Sequence, residues 1–280
     1  MELTISDDFS LPKIAGSGQC FRIRRFDDGT YRFITEGNIL YIRECAPRRF
    51  EADCTPEEWD AVWVPYFDLG RSYAAIRSSI PARDAYMRRA AEAGQGIRIL
   101  RQSPWETLVA FIISQRKSIP AIQGAVELLA ERYGEVVTTR RETVRVFPHP
   151  EQMADADAEA LAACKLGYRT PYVLDAVGRT GSGALDLTAI ASCGDAELLE
   201  RLKTVNGVGN KIANCVALFA YGRTALAPVD TWIGKVIRSE YGGENPFPAY
   251  GGAAGIMQQY IFYYALTHKR ELYNDGGTAT

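Results

Sequence analysis

Apolar and polar positions change period once along this chain. Between residues 18 and 45 the period is two. Phe21 and Ile23 alternate with Arg22 and Arg24, Tyr31 and Phe33 alternate with Arg32 and Ile34, and Asp28-Gly29 and Gly37-Asn38 stand where the chain would turn. That pattern predicts antiparallel strands. From Thr55 the period is helical. Thr55-Pro56-Glu57-Glu58 has the form of a capping box with proline at the first helical position, and Trp59, Trp63 and Phe67 follow at helical spacing. Gly94-Gln95-Gly96 is a break. Ser103-Pro104-Trp105-Glu106 is a second capping box, opening an apolar helix over Leu108 to Ile113, and Ile119 to Tyr133 reads as an amphipathic helix closed by Gly134. Residues 135–150 read as the one long polar connection. Helices resume near Pro150, Pro171, Asp195, Asn210, Asp230 and Tyr250, and the chain shows no internal repeat. The predicted fold class is α+β, with an N-terminal antiparallel sheet in residues 1–95 and a mostly helical body in residues 96–280.

Composition narrows the class. At 47% hydrophobic and 24% charged residues the chain is an ordinary globular one. No run of eighteen apolar residues predicts a membrane span, and MELTISDDFS lacks the basic and apolar regions of a secretory signal. The six cysteines are scattered without a CxxC, and there are two histidines, which argues against a disulfide framework or a side-chain metal site. The reading is a reduced, cytoplasmic protein. A net charge of −2 counts mildly against nucleic-acid binding, although Arg22, Arg24 and Arg25, Arg116 and Lys117, and Arg140 and Arg141 could build a local basic face.

The chemistry concentrates in Leu202 to Asp230, LKTVNGVGNKIANCVALFAYGRTALAPVD. Gly207-Val208-Gly209 can turn one helix tightly into the next and leave bare N–H groups at the new helix start, a ready phosphate site. Lys211 lies in that first turn. The helix dipole disfavours a cation there and so favours the neutral amine that a nucleophile must be. Asp230 follows 19 residues later. It reads as the N-cap of a helix starting at Thr231, and its carboxylate could also stabilise positive charge on a sugar ring. An amine and a carboxylate beside a phosphate-gripping turn point to chemistry on a nucleic-acid backbone sugar.

With Gly207-Val208-Gly209-Asn210-Lys211 and Pro228-Val229-Asp230 in place, the chain resembles the 8-oxoguanine DNA glycosylase/AP lyases of the helix-hairpin-helix superfamily, over nearly all its length. The resemblance implies a TBP-like N-terminal sheet domain and a helix-hairpin-helix body. It makes Lys211 the Schiff-base nucleophile and Asp230 the catalytic aspartate. Relatives that lack the lysine only hydrolyse the base. Ser17-Gly18-Gln19-Cys20-Phe21-Arg22 resembles the family's SGQxFR motif, in which the glycine carbonyl accepts from the N7–H of 8-oxoguanine, so Gly18 would be the lesion reader. Cys215 and Phe262 would sandwich the flipped base and Gln258 would read its Watson–Crick edge. Leu166-Gly167-Tyr168-Arg169 resembles the segment whose tyrosine wedges into the duplex and whose arginine meets the orphaned cytosine. Gly207, Gly209 and Arg116 would face DNA.

The resemblance further implies a cation on the carbonyls of Lys203, Val205 and Val208. It implies no cofactor, duplex DNA containing 8-oxoguanine as partner, no membrane, no obligate protein partner, and a monomer. The chain departs from the family at Arg116-Lys117, where an Asn-Asn pair stands in eukaryotic members, at Ala121 in place of a cytosine-reading arginine, and at Trp232 in place of a histidine. No four-cysteine cluster follows Cys215, so no iron–sulfur cluster is expected. The alternatives are a monofunctional alkylpurine glycosylase and a non-catalytic helix-hairpin-helix module.

Overall fold

The computed structural model describes residues 1–268. Five strands, β1 (Glu2–Thr4), β2 (Arg24–Arg25), β3 (Tyr31–Thr35), β4 (Asn38–Ala46) and β5 (Arg49–Ala52), form one antiparallel sheet in the order β1-β5-β4-β3-β2. The β3–β4 register pairs Thr35 with Asn38, so the turn is Glu36-Gly37, one residue earlier than expected. Both turn residues have positive φ (47° and 84°), the geometry that matches strand twist.

Two features of this half were not predicted. The first strand shrinks to β2, because the backbone before it is tied elsewhere: Gln19 Oε1 accepts from Leu100 N at 2.8 Å, and the Gln19 carbonyl accepts from Gln102 Nε2 at 2.8 Å. The second concerns the polar face of the sheet. Arg22 and Arg32 are only 1% and 5% exposed. They are covered by a hairpin, β6 (Val136–Thr138) and β7 (Thr143–Arg145), that forms inside the stretch read as a polar connection. Ile34 packs there with Val144 and Val146. Arg32 pairs with Glu142 at 3.0 Å. Arg22 holds Glu127 through two bonds of 3.0 and 3.2 Å and donates to the Arg145 carbonyl at 2.6 Å. A guanidinium leaves water only when its charge is met in this way. The same pairing removes Arg22 and Arg24 from the candidate basic face, and Arg141 is paired with Asp28 at 2.9 Å.

The hydrophobic cores do not divide at residue 95. One lies under the sheet and includes Leu11, Phe33, Phe50, Trp63, Phe67 and Leu100. The other fills the helical body and takes in Tyr73, Tyr86, Met87 and Ala90, because helix Ala85–Ala93 packs on helix Ala254–Thr267. The cores therefore change near residue 70. Residues 96–102 run between them, anchored by Arg98. That fully buried guanidinium donates to the carbonyls of Phe67, Asp8, Asp68 and Arg71.

The helical reading holds with few shifts. Thr55 caps its helix by accepting from Glu58 N at 3.2 Å. Ser103 makes no such bond, so helix Pro104–Ile113 begins on its proline without the expected box. Helices Ile119–Tyr133, Thr170–Gly181, Asp195–Leu202, Asn210–Phe219 and Thr231–Glu240 stand where expected. Among the described residues no helix is long and apolar enough to cross a membrane.

Candidate functional site

Helices Asp195–Leu202 and Asn210–Phe219 pack together through buried Leu198, Leu202, Val205, Val208, Ile212 and Val216. Gly207 bends the connection at φ 78°, and a Cβ there would lie 2.4 Å from the Tyr172 ring, so only glycine fits. Gly209 differs. It is the N-cap residue in extended conformation, and a Cβ there would meet nothing within 4 Å. The helix after it starts with no side-chain cap, which leaves its first amides at an open surface.

Lys211 is half-buried, its amine 5.2 Å from the centroid of Phe111. Phe111 is itself stacked on Phe219 at 5.5 Å and meets the edge of Phe21 at 5.7 Å. One turn beyond Lys211, Cys215 is 3% exposed. Burial pushes its thiol up to about 11; Lys211 pulls the other way and Asp230 adds to the rise. The Lys211 amine and the Asp230 carboxylate both lie near enough for their charges to act on this thiol. Asp230 is the N-cap that the sequence suggested, its Oδ1 accepting from Ile233 N at 2.8 Å. That bond fixes the carboxylate at the mouth of helix Thr231–Glu240 while its second oxygen remains for the site.

Gly18 and Phe262 come together. Gly18 has φ 75°, and a Cβ on it would stand 3.0 Å from Phe262 Cε1 and 3.3 Å from Ile119 Cδ1. Glutamines hold this loop. Gln19 Nε2 donates to Ser17 Oγ at 2.8 Å and to the Arg98 carbonyl at 2.9 Å, and Gln259 Nε2 donates to the Ser17 carbonyl at 2.6 Å. Gln258, one turn before Phe262, is 4% exposed, and its Oε1 has no partner among the described residues. Leaving such an acceptor unmet costs about 1–3 kcal/mol. The sequence reading missed Gln19, Gln259 and Phe111. The signal for Gln259 was present: it is polar inside the apolar run Ile256 to Ile261.

The residues expected to face DNA are split. Tyr168 is 51% exposed. Arg169 is buried, donating to the carbonyls of Leu166 and Gln115, with its guanidinium 4.2 Å from the Tyr168 ring centroid. It does not present itself to an orphaned base in this state. Arg116 is exposed, with φ 51°. Of the three carbonyls expected to hold a cation, that of Val205 already accepts from Val208 N at 3.0 Å and keeps one lone pair. No cluster of three or more His, Cys, Asp or Glu side chains among the described residues could hold a metal ion. A cavity of about 670 Å³ lies elsewhere, lined by Trp105, Phe147, His149 and Asp186 among others, and none of the expected site residues line it.

Residues 2–108 match the family model described as 8-oxoguanine DNA glycosylase, N-terminal domain. The N-glycosylase/DNA lyase of Saccharomyces cerevisiae is 33% identical over 159 residues, which covers 52% of this chain and 42% of the yeast protein. The chain spans less than two thirds of the length of the curated relatives it matches. Among solved structures, MBOgg1 in complex with a low-affinity DNA ligand is 33% identical with a TM-score of 0.90, covering 96% of both chains. The Clostridium acetobutylicum 8-oxoguanine glycosylase/lyase, in complex with double-stranded DNA bearing cytosine opposite 8-oxoG, is 31% identical with a TM-score of 0.87. It covers 96% of this chain and 98% of that one.

Proposed function

The chain belongs to the 8-oxoguanine DNA glycosylase/lyase family, and on that premise we propose that it excises 8-oxoguanine from duplex DNA and cuts the abasic strand through a Schiff base on Lys211. What supports this reading is Lys211 in the first turn of a helix whose amides are bare, with Cys215 one turn on and the Asp230 carboxylate near enough for its charge to act on that thiol. A glycosylase that only hydrolyses needs no amine there.

The steps follow from the side chains. Amides after Gly207 and Gly209 grip a phosphate beside the lesion, and Tyr168 fills the space the base leaves. In the present state Phe262 lies against Gly18, so Phe262 moves as the base enters between it and Cys215. The Gly18 carbonyl accepts the N7–H that guanine lacks, and Gln258 Oε1 gains the partner it now misses. The Lys211 amine, in its neutral form, attacks C1′ as the glycosidic bond breaks. Asp230 stabilises the positive charge that builds on the sugar. The departing base takes a proton from the attacking amine; the nitrogen lone pair then opens the C1′–O4′ bond, O4′ takes a proton, and an iminium remains on Lys211. Loss of a C2′ proton then breaks the C3′–O bond and cuts the strand, and water releases Lys211. All of this is covalent catalysis by the chain's own amine and requires no external cofactor. A cation on the carbonyls of Lys203, Val205 and Val208 would add positive charge near the phosphate and take no part in bond making. Duplex DNA is the partner in this reading, and a reducing compartment suits its free thiols.

The test is a labelled duplex carrying one 8-oxoguanine opposite each of the four bases in turn, beside undamaged and 3-methyladenine duplexes. Base release with strand scission on the 8-oxoguanine duplexes alone supports the reading. Release of 3-methyladenine without scission would replace it with an alkylpurine glycosylase.

A further inference from the structure

Two loops meet beside Tyr168, and each lends a cation to the other. Lys117, in the loop after helix Pro104–Ile113, donates to the Lys165 carbonyl at 2.5 Å. Arg169, from the second loop, donates to the Gln115 carbonyl of the first. The Tyr168 hydroxyl also reaches the Gln115 carbonyl, at 3.4 Å. The exchange needs unusual backbone. Arg116, Lys165 and Gly167 all have positive φ, at 51°, 57° and 61°, and two of the three are not glycine. Such strain persists only where the surroundings over-determine it. Among the described residues Tyr168 is held by this crossing and by Tyr172, whose ring meets it edge-on at 6.3 Å. Lys117 is half-buried, and desolvation together with Arg169 and Lys165 pulls its amine below the ordinary value. Three cations are therefore crowded into one clasp.

We propose that Lys117 is a positioning residue: its bond to the Lys165 carbonyl holds the loop that aims Tyr168 into the duplex, and keeps that loop in place when Arg169 leaves the Gln115 carbonyl for the orphaned base. This rests on the proposed wedge role of Tyr168.

Single-turnover excision separates positioning from general DNA contact. Two substrates are compared, an 8-oxoguanine·cytosine duplex and the same strand with the lesion in a one-nucleotide bulge, where no partner base has to be displaced. Lys117→Met is expected to slow the duplex reaction by about tenfold, as a small misplacement can, and to leave the bulge reaction within about twofold of wild type. Lys117→Arg, which keeps a donor of similar reach, restores the duplex rate. In a double-mutant cycle Lys117→Met adds nothing to Tyr168→Ala, because both act through the same wedge. Equal loss on both substrates, no loss on either, or full additivity with Tyr168→Ala would overturn the inference. A wild type that cuts neither substrate would instead overturn the glycosylase reading beneath it.

Discussion

At the Lys211 turn the residues that make the site lie close in sequence: Lys211, Cys215 and Asp230 fall within 20 positions of chain. At the seam between sheet and helices, Arg22 meets Glu127 across 105 positions. Lys211 and Asp230 are half-buried whereas Arg22 is 1% exposed, and the short-range relations of the first region were easier to read from the sequence than the long-range pairing of the second. In the first, helix geometry alone sets the relations. A lysine in the first turn and an aspartate at the next N-cap need no knowledge of the rest of the fold, while Cys215, one turn after Lys211, was named through the resemblance. In the second, period-two alternation set Arg22 and Arg32 apart from the apolar positions, and Arg22 was offered to a basic face. Water was excluded there by a hairpin whose own pattern, six strand residues around a short loop, was too brief to be seen. Local periodicity says which side of an element is polar; it does not say what will cover that side.

Substitutions can sharpen this contrast. The largest effect is expected at the turn. Asp230→Asn keeps an N-cap acceptor but removes the negative charge, so base excision should fall by about a hundredfold or more, with the melting temperature nearly unchanged. Stopped-flow or single-turnover assays beside a thermal melt measure both. At the seam the balance reverses. Arg22→Met leaves Glu127 only Arg32, at 4.0 Å, and frees the Arg145 carbonyl, and should cost about 1–3 kcal/mol in stability, read by denaturant titration, while the chemistry at Lys211 in the folded fraction is retained.

Glu106 gives the seam a pH signature. Burial raises its carboxyl to about 7 from the ordinary 4.5, with Glu127 adding to the rise and Arg22 opposing it. A raised carboxyl means that the folded state holds the proton more tightly than the unfolded chain. Stability from this group is therefore present at low pH and is lost as pH rises from about 4.5 to about 7. Glu106→Gln should melt like wild type near the lower limit and several degrees higher above the upper one. A pH-independent difference would detach Glu106 from the seam. The smallest effect belongs to Arg43–Glu51, a cross-strand pair at 2.6 Å whose side chains are 44% and 42% exposed. Arg43→Met should change stability by no more than about 0.5 kcal/mol. If it matched Arg22→Met, burial would not be what separates the two pairs.

How far the fold was legible follows the same division. The strong helix signals, Pro104, Ile119 to Gly134, Asn210 and Asp230, landed within a residue or two because caps and breakers act locally. The division at residue 95 was read from a glycine break. Helix Ala85–Ala93 nevertheless joins the helical core by packing on helix Ala254–Thr267, far along the chain. Of the candidate site, Gly18 and Phe262 were legible through resemblance alone, since nothing local places the loop of one against the helix of the other. Arg169 was named, by resemblance, as the arginine that meets the orphaned cytosine, and it is folded under Tyr168, held by carbonyls that carry no sequence signal.

The central claim is that Lys211 is the nucleophile, and borohydride trapping tests it most directly. Protein and an 8-oxoguanine duplex are mixed with borohydride, and the crosslinked peptide is identified by mass. The account predicts a covalent adduct on Lys211 that disappears in Lys211→Gln. An adduct on another residue, or strand scission that survives in Lys211→Gln, would contradict it.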